Sequence, residues 1–248
     1  MLRALPTRFF LACLMWALAA SFAASEPART LFAAASLGDA LAEILKEDDV
    51  RVSLGGSGAI ARQIDNGAPG DAVMLANPVW MDWLDSRGHL RAGTRSAPIA
   101  NRLVLVGPPG APPLPGLTRT ALLDRLGPEG RLAMGEHRSV PAGQYAQDWL
   151  SRKGLWDALR PRLAETDNVR AALALVARAE VPLAIVYASD LVAAPQAASP
   201  VWHIPPEDQP RIRYALAALT PKGDALIAAL QTPEALEVFR RFGFETAP

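Results

Sequence analysis

From about residue 30 onward the apolar positions follow two alternating periods. Short continuous apolar runs read as buried strands, and between them apolar residues recur at helical spacing, as on a helix with one buried stripe. The pattern predicts a strand over 30–34 and a helix over 38–46, with Leu41, Ile44 and Leu45 on one face. A strand over 50–54, a helix over 57–66 with Ile60 and Ile64 inward, and a strand over 72–75 follow. Pro78 opens a helix running to residue 85, a position where proline's missing N–H costs nothing.

A second set of units begins with the strongly apolar stretch 101–106, read as one strand, and a Pro- and Gly-rich loop over 107–116. Strands are expected at 131–134, 162–165, 182–186 and 201–204, with helices at 142–152 and 168–179. After a Pro-rich turn over 205–210 come a long strand, 211–219, and two helices, 222–230 and 233–239. Alternating strands and helices predict parallel sheets covered by helices, an α/β fold. Changes of register near 95–101 and 206–213 predict two lobes: 26–98, then 99–208, with 209–248 returning to the first.

The N-terminus departs from this pattern. Arg3 and Arg8 precede an apolar stretch over 9–20, and small residues fill 21–25, as in a cleavable export signal covering residues 1–25. The stretch is short of the roughly 20 apolar residues that a membrane span needs. Cys13, the only cysteine, lies inside it, and Arg8 interrupts the apolar run that a lipid-attachment site would need. Removal of the signal leaves a cysteine-free chain, which excludes a disulfide framework and a thiolate metal site. Lys plus Arg and Asp plus Glu both number 25, so no basic surplus points to nucleic acid or an anionic membrane surface. His89, His137 and His203 lie far apart in sequence without ligand spacing, and solvated or capping roles are expected for them.

Candidate chemistry gathers where predicted strands meet predicted helices. Ala33-Ala34-Ala35-Ser36-Leu37, Gly55-Gly56-Ser57-Gly58-Ala59, Val140-Pro141-Ala142-Gly143 and Asp167-Asn168-Val169-Arg170 each open a helix, and Val186-Tyr187-Ala188-Ser189-Asp190 follows a strand. A helix start presents unpaired N–H groups and a partial positive charge. In an open α/β sheet such junctions collect at the carboxyl ends of the strands, where ligands bind. Small residues permit close approach of backbone donors, and serine and tyrosine hydroxyls add neutral ones. Together they could surround a small dianion without a formal positive charge. Singly, each Ser or Asp is also an ordinary helix cap.

A hydrolase is the alternative of another class. Gly55-Gly56-Ser57-Gly58-Ala59 approaches a nucleophile elbow, with Asp190 and His203 in a workable order. Ala59 replaces the last glycine, however, and no glycine-rich oxyanion motif accompanies it. Glu47-Asp48-Asp49 reads as a solvated helix end, and Trp80, Trp83, Trp149 and Trp156 sit in helical patterns as core residues.

Several stretches resemble the periplasmic molybdate-binding proteins: Phe32-Ala33-Ala34-Ala35-Ser36-Leu37, Ala61-Arg62-Gln63-Ile64 with Gly67-Ala68-Pro69, and Trp80-Met81-Asp82. So do Val140-Pro141-Ala142-Gly143-Gln144-Tyr145-Ala146, Asn168-Val169-Arg170, Ile185-Val186-Tyr187-Ala188-Ser189-Asp190 and the closing Phe239-Arg240-Arg241-Phe242-Gly243-Phe244. The resemblance implies a two-lobed periplasmic-binding-protein fold of type II with an oxyanion in the interlobe cleft. It implies binding through Ser36 and Ser57 hydroxyls, the Ala142 and Val169 main-chain N–H groups and the Tyr187 hydroxyl. It further implies a monomeric, non-enzymatic protein without a cofactor that carries molybdate or tungstate to the membrane permease of an ABC importer. The same fold tuned to sulfate or another oxyanion is the alternative within the class. Glycines flank Ser57 where the family is often serine-rich, and Asn77 stands where an Asp is common.

Overall fold

The computed structural model describes residues 28–246; the expected export signal and Cys13 lie outside the described residues. Along the chain the strands are β1 (Arg29–Ala34), β2 (Val50–Gly55), β3 (Ala72–Leu75), β4 (Ser96–Asn101), β5 (Leu103–Gly107), β6 (Leu132–Gly135), β7 (Leu163–Thr166), β8 (Leu183–Tyr187), β9 (Ser199–His203), β10 (Ile212–Ala218) and β11 (Glu245–Thr246). They form two sheets. The first has the order β11-β4-β10-β3-β1-β2 and the second β7-β6-β8-β5-β9. In the first sheet β1 runs parallel to β2 and β3, and β10 is antiparallel to both β3 and β4. In the second, β6 is parallel to β7 and β8, and β5 is antiparallel to β8 and β9. This is the α/β architecture expected from the alternating pattern.

The strands that read as continuous apolar runs are the interior ones. β3, β5, β6 and β8 are buried at every position. Strands covered on both faces lose the alternation that a half-solvated strand keeps. β2, at the edge of the first sheet, exposes Arg51 and Leu54.

The expected single strand over 101–106 is two strands in different sheets. Asn101 closes β4 opposite Ile212 of the first sheet, whereas Leu103 opens β5 opposite Tyr187 of the second. The chain changes sheets at Arg102 and returns between His203 and Ile212. The side chain of Gln209 ties these two crossings together, accepting from the Leu103 N–H and donating to the Leu103 carbonyl, both at 2.9 Å.

The helices are α1 (Gly38–Ile44), α2 (Ser57–Asp65), α3 (Pro78–Asp85), α4 (Arg119–Leu126), α5 (Pro141–Arg152), α6 (Trp156–Leu159), α7 (Val169–Ala177), α8 (Ala188–Ala193), α9 (Gly223–Ala229) and α10 (Pro233–Arg241). Three of these were not expected: α4, α6 and α8. In α4 the stripe is only Leu122 and Leu126, but its ends are marked: the Thr118 side chain accepts from the Ala121 N–H, and Gly127 follows at φ 64°. α8 is a single short turn and a half directly after β8.

The two crossings lie beside an aromatic cluster. Tyr214 of β10 meets Phe244 edge-on at 5.4 Å between centroids, and Phe244 meets Phe239 of α10 likewise at 5.6 Å. Phe239 is fully buried, so truncating it removes an entire ring from a packed interior. Phe239→Ala is expected to lower stability by about 3–5 kcal/mol, measured by urea denaturation. A loss well under 1 kcal/mol would show that this cluster does not hold α10 to the first sheet.

Candidate functional site

All five residues singled out as anion contacts, Ser36, Ser57, Ala142, Val169 and Tyr187, line one small cavity. It lies at the carboxyl ends of strands from both sheets. Ala34, Gly55 and Ala76 bring the ends of β1, β2 and β3 to it, and Val140, Asn168 and Tyr187 come from the other sheet's side. Its lining contains no Lys, Arg, His, Asp or Glu. Any anion held there must be met by dipoles rather than by formal charge.

Three helices begin at this cavity, each with backbone donors left over. α5 starts at Pro141, which has no N–H, and its preceding residue Val140 offers no side-chain cap, so the Ala142 N–H points out of the first turn unclaimed by a cap. At α7 the Asn168 side chain takes the Ala171 N–H at 3.0 Å, which leaves the Val169 N–H at the wall. α2 follows Gly56, whose lack of a side chain leaves its start open. Summed, the three starts place partial positive charge around one small volume.

The hydroxyls supply the rest. Ser57 Oγ accepts the Ala76 N–H at 3.1 Å. An amide N–H can only donate, so the Ser57 proton is free for another acceptor. Ser36 Oγ lies 2.8 Å from the Tyr214 hydroxyl. Tyr187 is 1% exposed, and its hydroxyl is buried without a hydrogen-bond partner among the described residues. Burial pushes the Tyr187 and Tyr214 phenols well above their ordinary range, so both stay protonated. A buried hydroxyl without a partner is costly, on the order of 1–3 kcal/mol, unless something else occupies its hydrogen bond.

The two halves meet around the cavity through backbone and side chains. A Cβ added to Gly56 would lie 2.2 Å from the Asp167 carbonyl oxygen, so the β2–α2 junction touches the β7–α7 junction. Trp80 of α3 donates from its indole N–H to the Ser139 carbonyl at 2.9 Å, a polar contact where only core packing was expected of that residue. The Asn77 amide donates to Gln144 Oε1 at 2.6 Å. Arg170, one residue beyond Val169, reaches Asp39 Oδ2 at 2.7 Å on the opposite side. Its Nε lies 2.7 Å from Asp190 Oδ1 as an ion pair, without the alignment of a hydrogen bond. Burial pushes the Asp190 carboxyl up to about 6, against the pull of Arg170 and of the Tyr187 N–H, which donates to Asp190 Oδ2 at 2.9 Å.

Sequence reasoning missed Tyr214 and Asn101. Their signal was a polar residue in an otherwise apolar strand, with nothing local to mark it as more than an edge of the pattern.

A protein-family model described as bacterial extracellular solute-binding protein matches residues 29–245. The chain belongs to this family. It is 38% identical to the molybdate-binding protein ModA of Escherichia coli K12, with 94% of this chain and 95% of that one covered. Among solved structures, the periplasmic molybdate-binding protein of Azotobacter vinelandii superposes with a TM-score of 0.77 at 21% identity, covering 89% of this chain and all of that one. The sulfate-binding protein SubI of Mycobacterium tuberculosis superposes at 0.69 with 16% identity, over 87% and 85% of the two chains. At these identities the two structures speak for the shared two-lobed fold.

The hydrolase constellation does not assemble in this solute-binding fold. Ser57 is in the cavity, but Asp190 is engaged by Arg170 and the Tyr187 backbone, and no histidine lines the cavity. His203 lies on the exposed part of β9, paired with Val104. His137 and His89 pair with Glu165 and Asp65. Glu136, His137 and Glu165 do bring three ligand atoms within 4.8 Å of one another. Both Glu136 oxygens are already engaged, however: against the burial that would raise it, hydrogen bonds from Arg138 and Ser139 hold its carboxyl down to about 2.

The Gly56 contact gives a direct test of closure. Gly56 has φ −68° and ψ 136°, which alanine adopts without strain, so only the contact with Asp167 opposes a methyl group there. Gly56→Ala is expected to penalise the contact between the two junctions by about 1–3 kcal/mol, or roughly 5- to 150-fold in affinity for an anion in the cavity. Calorimetric titration measures it, with the unliganded melting temperature nearly unchanged. Wild-type affinity in the variant would mean that the two junctions need not touch for binding.

Proposed function

We propose that this protein is the solute-binding component of an ABC-type importer, which captures molybdate or tungstate outside the cytoplasm and passes it to a membrane permease. The observation that carries the reading is the Tyr187 hydroxyl: buried, protonated, without a partner among the described residues, and lining a cavity whose other polar side chains are the Ser36 and Ser57 hydroxyls and the Asn168 amide, which is engaged by its neighbours, with helix-start N–H groups beside them. Such a site satisfies a small dianion and little else. The similarity to the Escherichia coli molybdate-binding protein over nearly the whole chain supports the choice of anion. In this reading Ser36, Ser57 and Tyr187 donate through their hydroxyls, and Ala142 and Val169 through main-chain N–H groups. No catalytic step is involved, and the protein acts as a monomer exported by its N-terminal signal.

Selectivity follows from two physical terms. Molybdate and tungstate have longer metal–oxygen bonds than the bonds in sulfate, so a cavity sized for them leaves sulfate oxygens too far from some donors. Phosphate near neutral pH retains a proton and requires an acceptor, which a lining of donors does not offer.

A thermal-shift comparison tests this. A ligand that binds only the folded state adds about 2.7 kcal/mol at about 100 times its dissociation constant. Each kcal/mol moves the melting temperature by about 2–4 °C at this size, so molybdate and tungstate should raise it by about 5–11 °C. Sulfate and phosphate should do little at equal concentration. No shift with any oxyanion would refute the reading, and an equal shift with sulfate would refute the selectivity.

The contact residues are tested separately by calorimetry. Ser36→Ala, Ser57→Ala and Tyr187→Phe each remove one hydrogen bond to a charged ligand, about 1.5–3 kcal/mol, or tenfold and more in affinity. Side-chain changes at Ala142 and Val169 that preserve the fold should matter far less, because only their backbone is used. Full affinity in all three hydroxyl variants would place the site elsewhere.

A further inference from the structure

A serine hydroxyl both donates and accepts, so lining a cavity with serines does not by itself make it a cavity of donors. Something must fix which way each proton points. For Ser57 the Ala76 N–H does this by donating to the oxygen, so that the hydroxyl proton must point elsewhere. Among the described residues no backbone donor meets the Ser36 oxygen; its partner is the Tyr214 hydroxyl, itself able to donate or accept.

The direction of that bond is set one step further back. The Arg102 N–H donates to Asn101 Oδ1 at 2.9 Å, which fixes the Asn101 amide with its NH₂ turned the other way. That NH₂ donates to Ser189 Oγ at 2.8 Å and to the Tyr214 hydroxyl oxygen at 3.2 Å. With its oxygen accepting from Asn101, Tyr214 directs its own proton to its remaining neighbour, Ser36 Oγ. Ser36 then accepts, and its proton is released toward the cavity. All four side chains are buried, so water does not compete for these bonds.

We propose that Asn101 and Tyr214 form a hydrogen-bond relay that holds Ser36 as a donor to the bound anion, making Tyr214 a positioning residue for recognition although it does not line the cavity. The inference rests on the oxyanion-binding reading and adds to it the reason that Ser36 presents a proton rather than a lone pair. It also gives the relay a place in the fold. Asn101 is the last residue before the chain changes sheets and Tyr214 lies on the returning strand, while Ser189 follows Tyr187 on the other side. One amide therefore touches polar groups belonging to both halves. Burial raises the Tyr214 phenol above its usual range, opposed by its bonds to Ser36 and Asn101, so the relay keeps its proton at any working pH.

A double-mutant cycle read by molybdate titration tests it. Tyr214→Phe keeps the ring and its contacts with Tyr187 and Phe244 and deletes only the hydroxyl. Alone it should weaken molybdate binding by about 2- to 12-fold, the value of one ordinary hydrogen bond. Added to Ser36→Ala it should weaken binding no further, because Tyr214 acts only through Ser36. Additive losses in the double variant would overturn the relay.

Asn101→Asp provides a second arm. A carboxylate would accept the Tyr214 O–H hydrogen bond, turn the phenol oxygen's lone pair toward Ser36, and make Ser36 face the anion with lone pairs. This variant should bind more weakly than Ser36→Ala, and adding either Ser36→Ala or Tyr214→Phe to it should restore roughly tenfold. A loss caused only by the new negative charge, or by misfolding, would not be restored by either. Failure of restoration in variants that melt cooperatively counts against the relay. If wild-type protein binds no molybdate, tungstate or sulfate at all, the functional reading falls first, and the two failures are thereby distinguished.

Discussion

The site depends on the close approach of two loop–helix junctions, β2–α2 from the first sheet and β7–α7 from the second. At Gly56 the approach is so near that a single methyl group would overlap the Asp167 carbonyl. Gly58 repeats the condition against the Ser139 carbonyl and the Trp80 ring. These glycines are needed for what faces them, not for an unusual backbone, since Gly56 is ordinarily extended. With the junctions in contact, the helix starts of α2, α5 and α7 converge on one small volume. Drawn apart, the start of α2 on one side and those of α5 and α7 on the other would face water, each worth little to an anion because exposed dipoles are screened.

Convergence of donors leaves the surrounding charges to be managed. Asp190 is fully buried beside the site, and a desolvated carboxylate is expensive unless paired and hydrogen-bonded. Arg170 and the Tyr187 N–H meet it. The same guanidinium extends to Asp39 on the other half and approaches the Ser36 carbonyl at 3.4 Å. The Asp39 contact is half exposed and on its own would contribute no more than about 1 kcal/mol. Its consequence is geometric: one side chain is fixed at once to the neighbours of Ser36, Val169 and Tyr187. The cation stays outside the cavity lining, its charge answered by two carboxylates.

How much of this was legible in the sequence depends on whether the cause is local. Interior strands such as β3 and β8 announced themselves as apolar runs, and α1 and α2 as single apolar stripes, because burial acts residue by residue. The helix-start donors were legible for the same reason: small residues and a proline within a few positions say where unpaired N–H groups will be, although the cap of α7 is Asn168 and not the aspartate before it. The break at Arg102 was not. Asn101 pairs with Ile212 and Leu103 with Tyr187, and no local feature of an apolar run records which distant strand each half will join. Tyr214 was hidden likewise, since its bond to Ser36 spans 178 positions. The helix α4 was lost for a different reason, a stripe of only two buried leucines beside a Pro- and Gly-rich loop.

Asn77 shows how a departure from a family pattern can be read once its neighbours are known. Its Oδ1 accepts the Trp80 N–H at 3.3 Å as the cap of α3, which turns its NH₂ toward Gln144. Gln144 in turn uses its own NH₂ on the Arg138 carbonyl at 2.9 Å, so it presents only its oxygen to residue 77. An aspartate would cap the helix equally well. It has no hydrogen to give, however, and would set two acceptors against each other at 2.6 Å unless Gln144 turned and abandoned Arg138. It would also place a negative charge beside Ala76, which lines the cavity, where the other polar groups are arranged to receive one. The asparagine keeps the cap, supplies the donor between the halves and leaves the rim neutral. Residues 77 and 144 are therefore constrained as a pair: a carboxylate at 77 calls for a donor at 144, and an amide at 77 calls for the acceptor that Gln144 already presents.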